Sequence, residues 1–331
     1  MEGPSKEFAD PERQELIKLI AEDHFKLFQT KDVSPALYAF IWLADIEKLR
    51  ETAPGSIAPM VVLLNPGFLK LAIQQWLQKG RSGSKASSKA SSVTETSPAL
   101  IPRRQRVTDP DRIPLTTSTV DVENTSAAPI KARSKRALKL TEERDKGCIV
   151  QRVPCVDVAH IFPSSLRDSH VASPLIQTLR CFWKEEHVDA WLKAAYGAGT
   201  ESPHNLICLS PTAHRLHGNA LFAFKFKSYV ETENTRALEL NFYWLKHAEP
   251  RTTVPLTEVP SLDLEAPSDI GLYNYQKGLE NGHHVKSGEI VRMETDDPER
   301  KPLPLQPLLQ MQWLLNRVAA LSAAAEPDDL E

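Results

Sequence analysis

Val156-Asp157-Val158-Ala159-His160-Ile161-Phe162-Pro163 and His204-Asn205-Leu206-Ile207-Cys208-Leu209-Ser210-Pro211-Thr212-Ala213-His214-Arg215-Leu216-His217 are the two stretches that decide the reading of this chain. The first reads as a strand. Its alternation puts Val156, Val158, His160 and Phe162 on one face and Asp157, Ala159 and Ile161 on the other. Pro163 ends it. The second reads as a short apolar segment, Leu206 to Leu209, followed by a helix. Ser210 is a good cap and Pro211 suits the first helical position. His214 and His217 are three apart and share one helix face. The result is a histidine at a strand end, an asparagine before an apolar segment, and a histidine on the next helix.

This His…Asn…His arrangement resembles the HNH endonuclease family. The similarity is greatest to a fungal branch carrying Ala-His-Ile-Phe-Pro, Asn-Leu-Ile and a following helix histidine. It runs on through Phe222-Ala223-Phe224-Lys225, through Asp296-Asp297-Pro298 to Pro302-Leu303-Pro304, and through Gln312-Trp313-Leu314-Leu315 to Arg317-Val318-Ala319-Ala320-Leu321. The resemblance implies a ββα-metal fold and hydrolysis of phosphodiester bonds in nucleic acid, DNA foremost, with a divalent metal ion. Carried over by position, it implies that His160 is the base, Asn205 the orienting residue and His214 a metal ligand.

The chemistry suits those residue types. An imidazole near its ordinary pKa can take a proton from water at neutral pH. A divalent ion can neutralise charge at phosphorus and on the leaving oxygen. The position before the base, where many HNH proteins have a second ligand, is Ala159, as in the fungal branch. Asp157, His204 and His217 are the candidates to complete the shell. His217 is favoured, one helical turn from His214. Asp157 points to the face that Ala159 vacates but must reach further. A shell left short implies the alternative, a catalytically inactive HNH-like module used for binding or regulation.

A chain of 331 residues can hold one large domain or two small ones, and 41% hydrophobic content is ordinary for a globular protein. The net charge of −3 excludes a whole-chain field for nucleic acid, so any binding surface must be local. Arg133, Lys135 and Arg136 form such a patch, with Arg103-Arg104-Gln105-Arg106 upstream. Cys148, Cys155, Cys181 and Cys208 contain no Cys-x-x-Cys pair, which argues against a structural zinc and for reduced thiols. No signal peptide or membrane-length apolar run is visible, so the expectation is an intracellular protein, nuclear or cytoplasmic, with no membrane partner.

The fold expectation is α+β. It comprises an N-terminal helical segment over 1–80, a disordered basic and serine-rich linker over 81–134, an HNH core over 135–250, and a C-terminal extension over 251–325 packing on that core. Helices are expected over 11–30, from Pro35 to about Arg50, and from Pro66 to about Lys79. Cys148-Ile149-Val150 is expected to pair with Val156 to Phe162 as a hairpin. Helices starting at Ser173 and Glu185 fill the insertion between the two motif halves. Strands follow near 221–226, 238–244 and 288–293, and an amphipathic helix runs from Pro307 to about Ala324.

Overall fold

Proline at the first turn starts most of the helices, where its missing N–H is lost from no helical hydrogen bond. Asp10 caps α1 (Pro11–Phe28) through Glu12 N, 2.9 Å away. Ser34 caps α2 (Pro35–Leu43) through Leu37 N. The helix expected to continue to Arg50 breaks at Ala44 and resumes as α3 (Ile46–Thr52). The cause is Asp45. Its N–H donates to Phe182 O at 2.9 Å, and its carboxylate accepts from Lys184 N and meets His187 Nδ1. A residue tied to a distant loop on both sides cannot continue an α-helix. Next come α4 (Pro66–Trp76), α5 (Lys135–Asp145), α6 (Ser173–Phe182), α7 (Glu185–Gly197), α8 (Pro211–Gly218) and α9 (Gln306–Leu321).

The computed structural model describes residues 3, 5–53, 66–78, 134–233, 235–262, 265–266, 270–276 and 279–323. The linker expected over 81–134 therefore falls outside the described residues, apart from Ser134. So do Arg133, the Arg103 to Arg106 cluster and the acidic stretch Glu326 to Glu331. The fold is α+β, and the described residues form one compact unit. Among them, no helix is long and apolar enough to cross a membrane.

The strands make small antiparallel sheets. β1 (Asp32–Val33) pairs far down the chain. β2 (Asp157–His160) pairs with β3 (Leu206–Leu209) in the register Asp157 to Leu209 and His160 to Leu206. β4 (Phe222–Glu231) pairs with β5 (Arg236–Trp244). β6 (Val254–Pro255) is the partner of β1, and β7 (Tyr273–Asn274) pairs with β8 (His283–His284). β9 (Ile290–Thr295) completes a three-stranded sheet in the order β4, β5, β9.

The expected hairpin is corrected. Cys148 to Val150 is not a strand partner of β2. The segment closes on itself, with Cys148 N donating to Val153 O and Arg152 N to Cys148 O, both at 2.9 Å. Only Ile149 N reaches a strand, and it reaches Cys208 O of β3. A loop folded that tightly cannot run beside β2. The partner of β2 comes instead from beyond the two-helix insertion.

The C-terminal helix α9 departs from its expected amphipathic form. It is buried on nearly all sides, including the polar Gln312, Asn316 and Arg317. Gln312 Oε1 accepts from Phe224 N, and Asn316 bridges Phe222 O and the Trp76 indole. The sheet covers one side and the N-terminal helices the other. Asn316 and Arg317 are thus partnered across that packing, as burial favours, whereas Gln312 is held through its oxygen and its Nε2 is buried without a hydrogen-bond partner. The N-terminal helices reach the motif as well. Trp76 of α4 and Tyr196 of α7 flank Phe162, two residues after His160.

Candidate active site

β2, β3 and α8 form a ββα unit. Two different layers sandwich its ribbon. Val158, Leu206 and Cys208 pack with Ala137 of α5. Ala159, Ile207 and Leu209 face the main core, where Ala213 and Leu216 of α8 also lie. Period-two alternation therefore sends His160 to the α5 side, with Val158, and Asp157 to the α8 side.

On the α5 side, His160 Nε2 lies 2.9 Å from Glu201 Oε1. The His160 side chain is 4% exposed and that of Glu201 19%, so the pair is largely dry. Glu201 Oε2 also accepts from Ser134 N, at the cap of α5. The carboxylate thus spans the histidine and the start of the helix bearing Lys135 and Arg136, both exposed. Asn205 is 1% exposed. Its Oδ1 accepts from Phe162 N at 2.7 Å, and its Nδ2 donates to Phe162 O and Thr200 O at 2.9 and 3.0 Å. One side chain fastens the strand end after His160 to the loop that carries Glu201.

On the α8 side, His214 Nδ1 meets Asp157 Oδ2 at 3.3 Å, with the two side chains 37% and 52% exposed. Ser210 caps this helix through Ala213 N and donates to Gln151 Oε1. His217 does not join the pair. It turns into the core, with its ring centroid 5.5 Å from that of Phe222 and 6.0 Å from that of Phe224. Its Nε2 is buried with no hydrogen-bond partner. Burial, with a smaller push from His214, lowers its pKa to about 4. The three-residue spacing puts both histidines near one face, but the aromatic sheet beneath α8 takes His217. His204 is also committed elsewhere, with Nδ1 3.1 Å from Leu303 O. The structure thus joins His160, Asn205 and Glu201 at one place and His214 with Asp157 at another. It leaves His217 and His204 apart from both.

Glu201, Arg144 and Asp145 were missed by sequence reasoning. Arg144 and Asp145 pair with both side chains wholly buried. Arg144 donates to Pro203 O and Leu206 O, and Asp145 accepts from Cys208 N. Together they clamp the end of α5 to β3. Adjacent opposite charges at a helix end look like solvated surface in a sequence. Glu201 stands in a loop of small residues and carries no periodic signal. Only its place just before Ser202-Pro203 and the motif asparagine sets it apart.

Residues 144–225 match the HNH endonuclease family. The matched segment runs from the buried Arg144 clamp to the start of β4 and contains every residue of both histidine pairs. Neither a curated protein nor a solved structure matches the chain.

The donor set can be weighed against a divalent ion. Among the described residues, no three of His, Cys, Asp and Glu gather as a metal-holding group. Asp157 and His214 supply two donors. Atoms bound side by side to one ion at about 2.1 Å would lie about 3 Å apart, close to the 3.3 Å observed. An ion that keeps several waters and takes phosphate oxygens fits two protein donors, as magnesium commonly does. A closed four-ligand site does not fit. Ala159 is fully buried and cannot contribute.

Proposed function

We propose that the HNH segment hydrolyses phosphodiester bonds of nucleic acid as a metal-dependent endonuclease. The family match over 144–225 carries this reading. The dry His160–Glu201 pair supports it, because a base needs a fixed ring. Glu201 on Nε2 orients the imidazole and selects the tautomer whose lone pair is on Nδ1. That nitrogen takes the proton from the attacking water. Asn205 holds the strand end so that the ring cannot drift from its partner. Asp157 and His214 would hold the divalent ion, which when bound supplies charge neutralisation at the phosphate. Lys135 and Arg136, which directly follow the Ser134 that bonds Glu201, would take neighbouring phosphates of the strand.

A second reading is a nucleic-acid-binding module that does not cleave. Two observations favour it. Ala159 is closed into the core, and His160 and Asp157 lie on opposite ribbon faces, three residues or roughly 10 Å apart along the strand. A plasmid-nicking assay with Mg²⁺, Mn²⁺, Ni²⁺ and Zn²⁺ separates the two. Nicking lost in His160→Ala and in His214→Ala is expected. Binding without nicking under any metal would establish the second reading and overturn the first.

A further inference from the structure

A cavity of about 450 Å³ opens beside the β3 edge of the HNH segment, lined by the loop 144–152, Tyr275 and β9. Lys146, Arg152 and Arg292 line it, against Tyr275, Met293 and Glu294. We propose that this cavity binds a nucleoside phosphate, its phosphate on Arg152 and Lys146 and its base against Tyr275. The inference deepens the nucleic-acid reading of this segment, on which it rests: the occupant is a nucleotide flanking the one acted on.

The charges point that way. Arg292 is answered by Glu294 at 2.6 Å and Glu239 at 3.2 Å. Arg152 has no such partner. Among the described residues its guanidinium's one hydrogen bond goes to a backbone carbonyl, Arg292 O at 2.7 Å, and Asp145 and Glu294 act on it only at longer range. Burial pushes its pKa below the usual range. A half-buried guanidinium with open donors and no carboxylate at contact is poised for a planar anion such as phosphate. Lys146 is exposed at the rim, where Asp296 lies near enough to feel its charge but makes its ion pair with Lys301.

The backbone is set for this arrangement. Arg152 has φ of 61° and Lys146 of 56°, in the left-handed region that non-glycine residues seldom enter. Gly147, at φ 146°, lies between them, and a Cβ there would meet Val153 O at 2.8 Å. Lys146 is in the left-handed region because it closes the C-terminus of α5, so Arg152 is the cationic residue that the loop itself holds in an unfavoured conformation. Strain kept in a loop that lines a cavity is a common mark of a ligand site. The cavity also has the volume of small-molecule sites. Its position fits a continuous strand. Ile149 bonds Cys208, and Gln151 bonds Ser210 at the cap of α8. The loop therefore borders the Leu209 end of the ribbon, the end at which Asp157 meets His214.

Binding of a short fluorescein-labelled single strand, measured by polarisation in EDTA so that cleavage does not intervene, tests the inference. Arg152→Asn and Lys146→Asn remove one charge each, and asparagine tolerates the left-handed backbone. Arg152→Asn is expected to weaken binding about tenfold or more and exposed Lys146→Asn about threefold. The salt slope should fall by about 0.7 for each charge removed. Displacement of the strand by adenosine monophosphate would show that a free nucleotide suffices. Weakened binding in the variants without such displacement would assign the site to a nucleotide within a chain. Wild-type affinity in both variants, or no binding of either probe by wild type, overturns the inference. Should Arg152→Asn fail to fold, the rim variant decides. A protein that nicks plasmid but binds equally well in both variants refutes the cavity alone, and one that binds through Arg152 without nicking refutes only the nuclease.

Discussion

The ribbon of β2 and β3 carries a histidine–carboxylate pair on each face, and the two pairs are built differently. His160 and Glu201 are largely shut from water, 2.9 Å apart, with Asn205 locking the strand end beside them. Asp157 and His214 stand in solvent at 3.3 Å. A dry pair holds one geometry, because each group would give up a hydrogen bond that little water is present to replace. A wet pair exchanges partners readily with water or an ion, because solvent competes at little penalty. The same two residue types therefore serve opposite ends: one face fixes a ring and the other leaves two donors available.

The largest expected effect tests the fixed face. His160→Ala should reduce plasmid nicking about 10²- to 10⁴-fold, the usual contribution of a positioned base. Glu201→Gln keeps a hydrogen bond to the ring but not the charge, and should lose about tenfold in single-turnover rate. Equal losses in the two variants would mean that Glu201 is more than an orienting group. Full activity in His160→Ala would remove the dry pair from the chemistry.

Asn205→Ala probes the lock itself. It leaves Phe162 N–H, Phe162 C=O and Thr200 C=O without their partner in a site that is nearly closed to water. Stranding one buried donor costs about 1–3 kcal/mol, and with two carbonyls also stranded the loss should reach about 3 kcal/mol. Urea unfolding at neutral pH reads it directly. A loss under about 1 kcal/mol would show that water enters and that the dry face is less closed than it looks.

The same contrast explains what the sequence could tell. The strand β2 and the capped helix α8 were legible because alternation and cap chemistry are local. The pairing of β2 was not. Cys148 to Val150 has a strand's composition, and only the turn closed by Val153 O diverts it. The break at Asp45 was illegible for a similar reason, since its partners are Phe182 and Lys184, far along the chain. Glu201 and the Arg144–Asp145 clamp act solely through tertiary contact. His217 is the instructive error: helical spacing set it beside His214, but the aromatic surface under α8 decides where its ring goes.

That error makes a pH prediction. His217 is neutral in the fold, with its pKa lowered to about 4 against 6.5 unfolded. Below pH 6.5 the unfolded chain takes up a proton that the folded one refuses, so stability falls with pH from about 6.5 to about 4 and then levels. The span corresponds to roughly 3 kcal/mol at most. His217→Leu should remove this part of the slope, and it should be more stable than wild type at pH 4.5 by a margin that shrinks towards pH 7.5. Parallel curves for the two proteins, from urea midpoints across that range, would put the ring in contact with water.

The smallest effect belongs to the open face. Asp157→Ala removes a half-exposed carboxylate whose one described partner is a partly exposed imidazole. Such pairs contribute about 0–1 kcal/mol, so the melting temperature without metal should hardly change. The informative measurement adds Mn²⁺. If the pair opens to hold an ion, wild type gains stability as the logarithm of ion concentration over its dissociation constant, because the unfolded chain lacks the site. Asp157→Ala and His214→Ala should both lose most of that gain, and Ala159→Asp should not restore it. The side chain at 159 points into packed core among Ile161, Ile207 and Leu209, so an acid there would be buried rather than added to the donors. A stabilising response to Mn²⁺ that survives Asp157→Ala would move the ion away from this face, and the contrast between the two pairs would lose its functional meaning.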